Sequence, residues 1–334
     1  MKKVSLDFIA KKVGVSMTTA SFVLNGMGKE KRISDEIINK VISVAKELNY
    51  KPHRLARSLR TGTTKVLGVI VIDVANHFHS KLSRAIEDRA SEHGYRVMIC
   101  SSDEKDVLLE EWVDEMLDNR VAGLIIAPTM YARSKILELK KMKFPFVLVD
   151  RYFPDIETDF VVIDNMSASF NATSLLLKEK YRGIAVIAFE PVLDTMKQRI
   201  EGYKRAIVES GLKVDKNYIR TISYEKIGEQ VNAHVTDLVN NGIRAIFFTS
   251  NRLSVCGLQC LSKMKVRIPQ DVAVITYDDN EYFPLMIPSI SAVSQPIQVI
   301  GKLSVDVLLD RLKDPDKKHQ KLILNAEVIQ RNSI

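Results

Sequence analysis

The chain has 334 residues, 46% hydrophobic and 27% charged, which fits a globular protein of two or three domains and excludes a disordered or low-complexity one. Its net charge of +8 is unevenly placed: residues 1–65 hold 14 Lys/Arg against 5 Asp/Glu, whereas the remainder holds 35 against 36. No apolar run reaches the ~20 residues of a membrane span. Asp7, Lys11 and Lys12 interrupt any signal-like stretch after Lys2 and Lys3, and three cysteines give no disulfide framework, so a cytoplasmic protein without a membrane partner is expected.

Leu6, Ile9, Ala10 and Val13 fall at i, i+3, i+4, i+7, one apolar face of a short helix. Gly14 can take the positive φ of a tight turn, and Ser16 can cap a second helix. Ala20, Val23 and Leu24 form that helix's inward face, while Thr18, Phe22 and Asn25 project the other way. This is helix-turn-helix spacing, in which the second helix enters the major groove. The local excess of positive charge is what phosphate neutralisation requires. A third helix is capped by Ser34, carries Asp35 and Glu36 where the helix dipole favours anions, and buries Ile37, Val41, Ala45 and Leu48. It ends before Pro52, because the residue preceding proline resists α conformation. His53 to Arg60 is a basic segment too short to be helical alone in water. It is expected to order when docked, and a Thr/Gly linker follows.

From Lys65 onward apolar strands alternate with helices. Strands are predicted at 66–72, 96–100, 123–127, 146–150, 161–163, 184–189, 218–222, 245–249 and 272–276, with helices at 78–92, 107–118, 134–142, 168–179, 196–210, 228–240, 253–264 and 297–312 and a final pair of short strands. Buried strands flanked by helices imply parallel sheets covered on both faces. Two such blocks joined by crossings imply two lobes with a cleft, and ligands in such folds bind beyond the carboxyl ends of strands.

The layout resembles the lactose/galactose-repressor (LacI/GalR) family of bacterial transcription regulators across essentially the whole chain. The resemblance is carried in the head by Val15-Ser16, Thr19, Ser21 and Val23-Leu24-Asn25-Gly26. Asn49-Tyr50, Pro52 and Ala56-Arg57-Ser58-Leu59 carry it in the hinge, and Gly94-Tyr95, Val147–Arg151, Arg199 with Gly202-Tyr203, and Ile268-Pro269 through Ile275 carry it in the body. It implies an α/β protein: a helix-turn-helix head (1–50), a hinge helix and linker (51–64), and a periplasmic-binding-protein-like body (65–334) of two doubly wound parallel sheets. The expected first lobe is 65–160 plus 292–320, and the second 161–291 plus 321–334. The tail after Leu322 has no leucine heptads, so no tetramer-forming helix is expected. The implied activity is effector-controlled binding of a homodimer to double-stranded operator DNA, with no cofactor, no metal and no catalysis.

Carried over by position, the DNA-contacting set is Ser16, Met17, Thr18, Thr19, Ser21, Phe22, Asn25, Tyr50, Arg57 and Leu59. Leu59 matches a leucine that wedges into the minor groove and kinks the duplex; packing against the body is its other reading. Phe22 stands where Arg or His is frequent. It cannot form the forked guanine contact but could touch a thymine methyl, or pack within the head. The effector set is Asn76, Phe78, Asp150, Arg151, Arg199, Asn251 and Asp278, whose chemistry suits a sugar's hydroxyls and apolar face. Arg252 adds a positive charge near the cleft mouth, so a phosphorylated or acidic sugar is a second expectation. His77 and His79 could form half a metal site, but no matching Cys/His pair follows. A sugar-transport receptor would have the same body, but needs an export signal and no basic head. An enzyme would need a nucleophile elbow, P-loop or dinucleotide fingerprint, and none is present.

Overall fold

The computed structural model describes residues 5–48, 50, 64–190 and 194–334, and the chain divides into two units, Met1–Thr64 and Lys65–Ile334. In the first, α1 (Leu6–Val13), α2 (Met17–Leu24) and α3 (Asp35–Glu47) each begin at a serine. The hydroxyls of Ser5, Ser16 and Ser34 accept the backbone N–H of Phe8, Thr19 and Ile37, satisfying donors that the helix itself leaves orphaned. Gly14 sits at φ +81°, a left-handed stop for α1. The inward faces of the three helices meet in a small core of Ile9, Ala10, Val13, Ala20, Val23, Val41 and Ala45, with Tyr50 packed at its edge. The expected hinge helix, with Arg57 and Leu59, lies outside the described residues, as does Pro191-Val192-Leu193.

The second unit contains two six-stranded sheets. The first is built from β1 (Val66–Val71), β2 (Arg96–Ser101), β3 (Gly123–Ile126), β4 (Phe146–Val149), β5 (Asp159–Ile163) and β11 (Lys321–Leu324), in the order β11-β5-β4-β3-β1-β2. All its pairings are parallel. Alternation decides its two faces. Leu67, Val69 and Val71 join Leu82 and Ile86 of α4 (His77–Glu92) and Val305 and Leu308 of α11 (Ile297–Lys313). Ile70, Leu124 and Ile126 turn the other way, to Leu109 and Val113 of α5 (Asp106–Asp118) and Ile136 and Leu139 of α6 (Arg133–Lys141).

The second sheet repeats the winding. It consists of β6 (Ile184–Phe189), β7 (Ile219–Ile222), β8 (Ala245–Phe248), β9 (Ala273–Tyr277), β10 (Ser291–Ser294) and β12 (Glu327–Ile329), in the order β12-β10-β9-β8-β6-β7. Helices α7 (Asn165–Lys178) and α8 (Asp194–Glu209) cover one face, and α9 (Ile227–Asn240) and α10 (Asn251–Lys263) the other. In both sheets the second strand lies outside the first while the third lies on its far side. That reversal opens a crevice at the carboxyl ends of the strands.

Three details differ from the sequence expectation. Residues 161–163 and 321–324 belong to the first sheet, where β5 lies between β4 and β11, and not to the second lobe. Residues 291–294 form a strand of the second sheet, and β12 pairs with it antiparallel. The cause is common to all three: the local sequence of a three- to five-residue strand does not record which distant strand hydrogen-bonds to it.

Candidate effector cleft and DNA-reading helix

The two switch points face a cavity of about 70 Å³, and all seven effector candidates line it. Four approach from beyond the first sheet's strand ends. Asn76 caps α4 through Oδ1, which accepts the Phe78 N–H at 2.9 Å, leaving its amide NH₂ for a ligand. Phe78 is buried, its ring edge-on to His79 at 5.2 Å. Asp150 follows β4 with φ +64°, a region Asp tolerates better than most residues. The cost of that backbone is met by directing a carboxylate into the cleft. Burial pushes Asp150 up, but His79, Arg151 and Arg199 outweigh it and hold the carboxyl below its usual value.

Arg151 also follows β4, but its charge is spent. Its guanidinium lies 2.7 Å from a nearly enclosed Glu104 and 3.4 Å from Asp150. From the second lobe, Arg199 of α8 donates Nε to Asn165 Oδ1 at 2.7 Å and Nη1 to the Thr249 carbonyl at 2.6 Å, and lies 3.6 Å over the Tyr277 ring. Asp278 follows β9 with φ +69° and accepts the Asn251 N–H at 3.2 Å and Gln295 Nε2 at 2.5 Å. Burial is the largest influence on Asp278 and raises its pKa, with Arg199 pulling the other way.

Among the described buried polar atoms, Asn251 Nδ2 and both ring nitrogens of His79 lack a hydrogen-bond partner. His79 Nε2 stands 3.7 Å from Asp150 Oδ2, beyond direct hydrogen-bond reach. Unpaired buried donors cost free energy unless something else satisfies them, and these line a cavity. Arg252 lines the cavity too; its Nη1 donates to the Tyr224 hydroxyl at 2.6 Å and its guanidinium rests 4.9 Å from that ring. Sequence reasoning missed His79, Phe189, Tyr224 and Gln295 as lining residues. Tyr224 sits on a single 3-10 turn and Gln295 just past a four-residue strand, neither of which has a local signature. His79 has one, its place in the first turn of the helix that Asn76 caps, although a histidine beside His77 reads equally as a metal ligand.

In the head, Met17 and Thr18 open α2 and are exposed, Met17 by 53%. Ser16 and Thr19 share a 2.8 Å hydrogen bond that fixes the helix start. Ser21 and Asn25 are half-buried, and Asn25 Nδ2 turns back to the Ser21 carbonyl at 2.7 Å. Phe22 is half-buried with Lys31 Nζ 5.7 Å from its ring centroid, so part of its face is used within the head. Tyr50 packs on the head core, and burial raises its hydroxyl pKa. Met17 and Thr18 are therefore the freest side chains among the described residues of the candidate set.

A helix-turn-helix head joined to a two-lobed receptor with a polar cleft defines a ligand-controlled DNA-binding regulator. Residues 5–53 match the bacterial regulatory proteins of the lacI family, and residues 173–334 match the periplasmic binding protein-like domain. The ribose operon repressor of Escherichia coli (strain K12) is 30% identical over 328 residues, 97% of this chain and 98% of that protein. The chain belongs to the lacI family of bacterial regulatory proteins, as a sequence-specific transcription regulator controlled by a small-molecule effector. The lac repressor dimer bound to operator and the anti-inducer ONPF shares the fold, with a TM-score of 0.86 at 22% identity over 99% of each chain. A LacI family regulator from Enterococcus faecium with bound ribose gives 0.71 at 25% identity, over 80% of this chain and 98% of that one.

Proposed function

We propose that the chain is a homodimeric cytoplasmic repressor whose hold on a roughly palindromic operator is set by a neutral monosaccharide, a pentose of the ribose type, in the cleft. One observation carries this reading: the seven candidate residues converge on one small cavity together with unpaired buried polar atoms. A cavity of about 70 Å³, at roughly 10–15 Å³ of such space per water, holds a handful of waters, the scale of a monosaccharide. Its lining balances Asp73, Asp150 and Asp278 against Arg151, Arg199 and Arg252. With Arg151 neutralised by Glu104, no positive charge is left over for a phosphate or carboxylate, which favours the neutral sugar over the acidic one.

The carboxylates accept hydroxyl protons in hydrogen bonds, Asn251 and Arg199 donate, and Phe78 and Phe189 cover apolar C–H surface. These groups serve binding and not bond cleavage. The ribose operon repressors of Escherichia coli and Haemophilus influenzae and the ribose-bound regulator support the pentose. Tyr282, Leu285 and Ile287, exposed at 62%, 78% and 101% on one short segment, support self-association. In the head, Met17 and Thr18 meet base edges, Phe22 offers its remaining face to a thymine methyl, and Leu59 acts as the wedge. A ligand that prefers one lobe arrangement shifts operator affinity by its differential binding. The test is to select an operator from random duplexes, then titrate D-ribose by calorimetry and repeat the DNA binding. Saturable ribose binding that changes operator affinity is expected; a sugar-insensitive operator complex would overturn the reading.

A further inference from the structure

The first lobe carries a second concavity, of about 440 Å³, at the amino ends of β4, β5 and β11. Because that sheet is wholly parallel, these ends lie opposite the cleft, on the edge where the chain enters β1 at Lys65. β4 lies two strands from β1, about 10 Å at the usual strand spacing.

One wall is held rigidly. Asp159 is 2% exposed and takes Arg311 Nε at 2.8 Å, Arg311 Nη2 at 3.1 Å and the Gln320 N–H at 2.7 Å. Arg311 Nη1 donates in turn to the carbonyls of Pro315 and Lys317. One part-buried guanidinium thus closes the loop at 314–318 and holds the backbone that carries Lys318. Across the groove stand Lys140 and Lys143.

Among the described residues no carboxylate lies within 4 Å of Lys140, Lys143 or Lys318. The lining acids are mostly spent, Asp159 on Arg311 and Glu157 on Lys321 at 3.5 Å, which leaves Asp316. Lys140 near the end of α6 complements the helix dipole. That account does not extend to Lys143 or Lys318, which lie outside helices. Three unpaired ammonium groups around a preformed concavity attract multiply charged anions far more than singly charged ones, since each added charge meets its own cation.

We propose that this groove binds a small polyanion of the phosphorylated-metabolite class, giving the regulator a second ligand site independent of the sugar cleft. The probe is inorganic pyrophosphate, titrated calorimetrically into the full chain with orthophosphate as the weaker comparison. Saturable binding is expected with a Kd of about 1 mM or tighter, whether or not D-ribose is present. The triple variant Lys140→Ala, Lys143→Ala, Lys318→Ala is expected to weaken it about tenfold or more, with the thermal midpoint and ribose binding unchanged. Lys140→Arg, Lys143→Arg, Lys318→Arg, which keeps the charge, is expected to retain it. Absent saturation, or pyrophosphate binding equal in wild type and the Ala variant (binding by the basic head), overturns the proposal. So does a variant that alters only the salt dependence of DNA binding, since the groove is then a duplex-backbone contact. Failure of ribose to bind leaves this result untouched and removes only the sugar assignment.

Discussion

Asp278 shows how a buried cleft residue works against the fold that holds it. Burial raises its pKa, so its linked stability is fully present below the unfolded carboxyl value of about 3.9 and is lost as pH rises through the higher folded value. At neutral pH the empty cleft therefore bears the cost of an enclosed anion, yet only the ionised form is a pure acceptor for sugar hydroxyls. Asp278→Asn keeps the positive-φ backbone, which Asn adopts readily. It is expected to raise the thermal midpoint of the ligand-free protein while weakening D-ribose binding about ten- to a hundredfold. Wild-type affinity is expected to fall as pH drops from neutrality toward the raised pKa, and the variant's affinity to stay flat. Calorimetry at several pH values checks both, and unchanged affinity at pH 7 would remove Asp278 from the site. Residues of this kind were legible because the crevice rule says where a strand end points. What the text could not reveal is that Arg151 is neutralised by Glu104, 47 positions away, a pairing made only by the fold and one that changes the expected charge of the ligand.

At the scale of elements, the contact between α7 and α8 positions the cleft residue Arg199. Arg199 of α8 reaches Asn165, the first residue of α7, because Gly202, one turn further on, lets the helices approach. A Cβ at Gly202 would collide with the Met166 carbonyl oxygen and the Phe170 nitrogen and meet Ser169 Cβ at 3.0 Å. Gly202→Ala is expected to destabilise by about 1–3 kcal/mol, as overpacking does, and to weaken ribose binding by moving Arg199 off Asn165. Gly228 on α9 has nothing within 4 Å of the same atom. Gly228→Ala is therefore expected to be neutral or to stabilise by up to about 1 kcal/mol. Urea unfolding of the two variants separates the readings, and equal midpoints would mean the helices can part without cost. Elements themselves were largely visible from periodicity, with boundaries off by a residue or three; α7 starts at Asn165, three residues before the expected Ala168. Strand β10, Ser-Ala-Val-Ser, was invisible because two of its four residues are serines. Its burial comes from β9 and β12 on either side, which no local pattern encodes.

At the scale of the whole chain, the head carries the positive excess, and the second lobe exposes Leu285 and Ile287 on one short segment. If the exposed segment joins two copies, each dimer presents two heads to one operator, and phosphate neutralisation doubles with it. The slope of log affinity against log salt measures this number directly, at about 0.9 per phosphate neutralised. Leu285→Glu with Ile287→Glu places like charges face to face in that contact, at two exposed positions that leave the buried Phe283 of the same segment untouched. The double variant is expected to sediment as a monomer and to bind D-ribose as wild type does. It should hold operator DNA with roughly half the salt slope and far lower affinity, because a single head cannot bring both half-sites' contacts into one binding event. A variant that stays dimeric, or a monomer with an undiminished slope, would place the joining surface elsewhere and break the link drawn here between the exposed apolar segment and the reading of a two-fold DNA site.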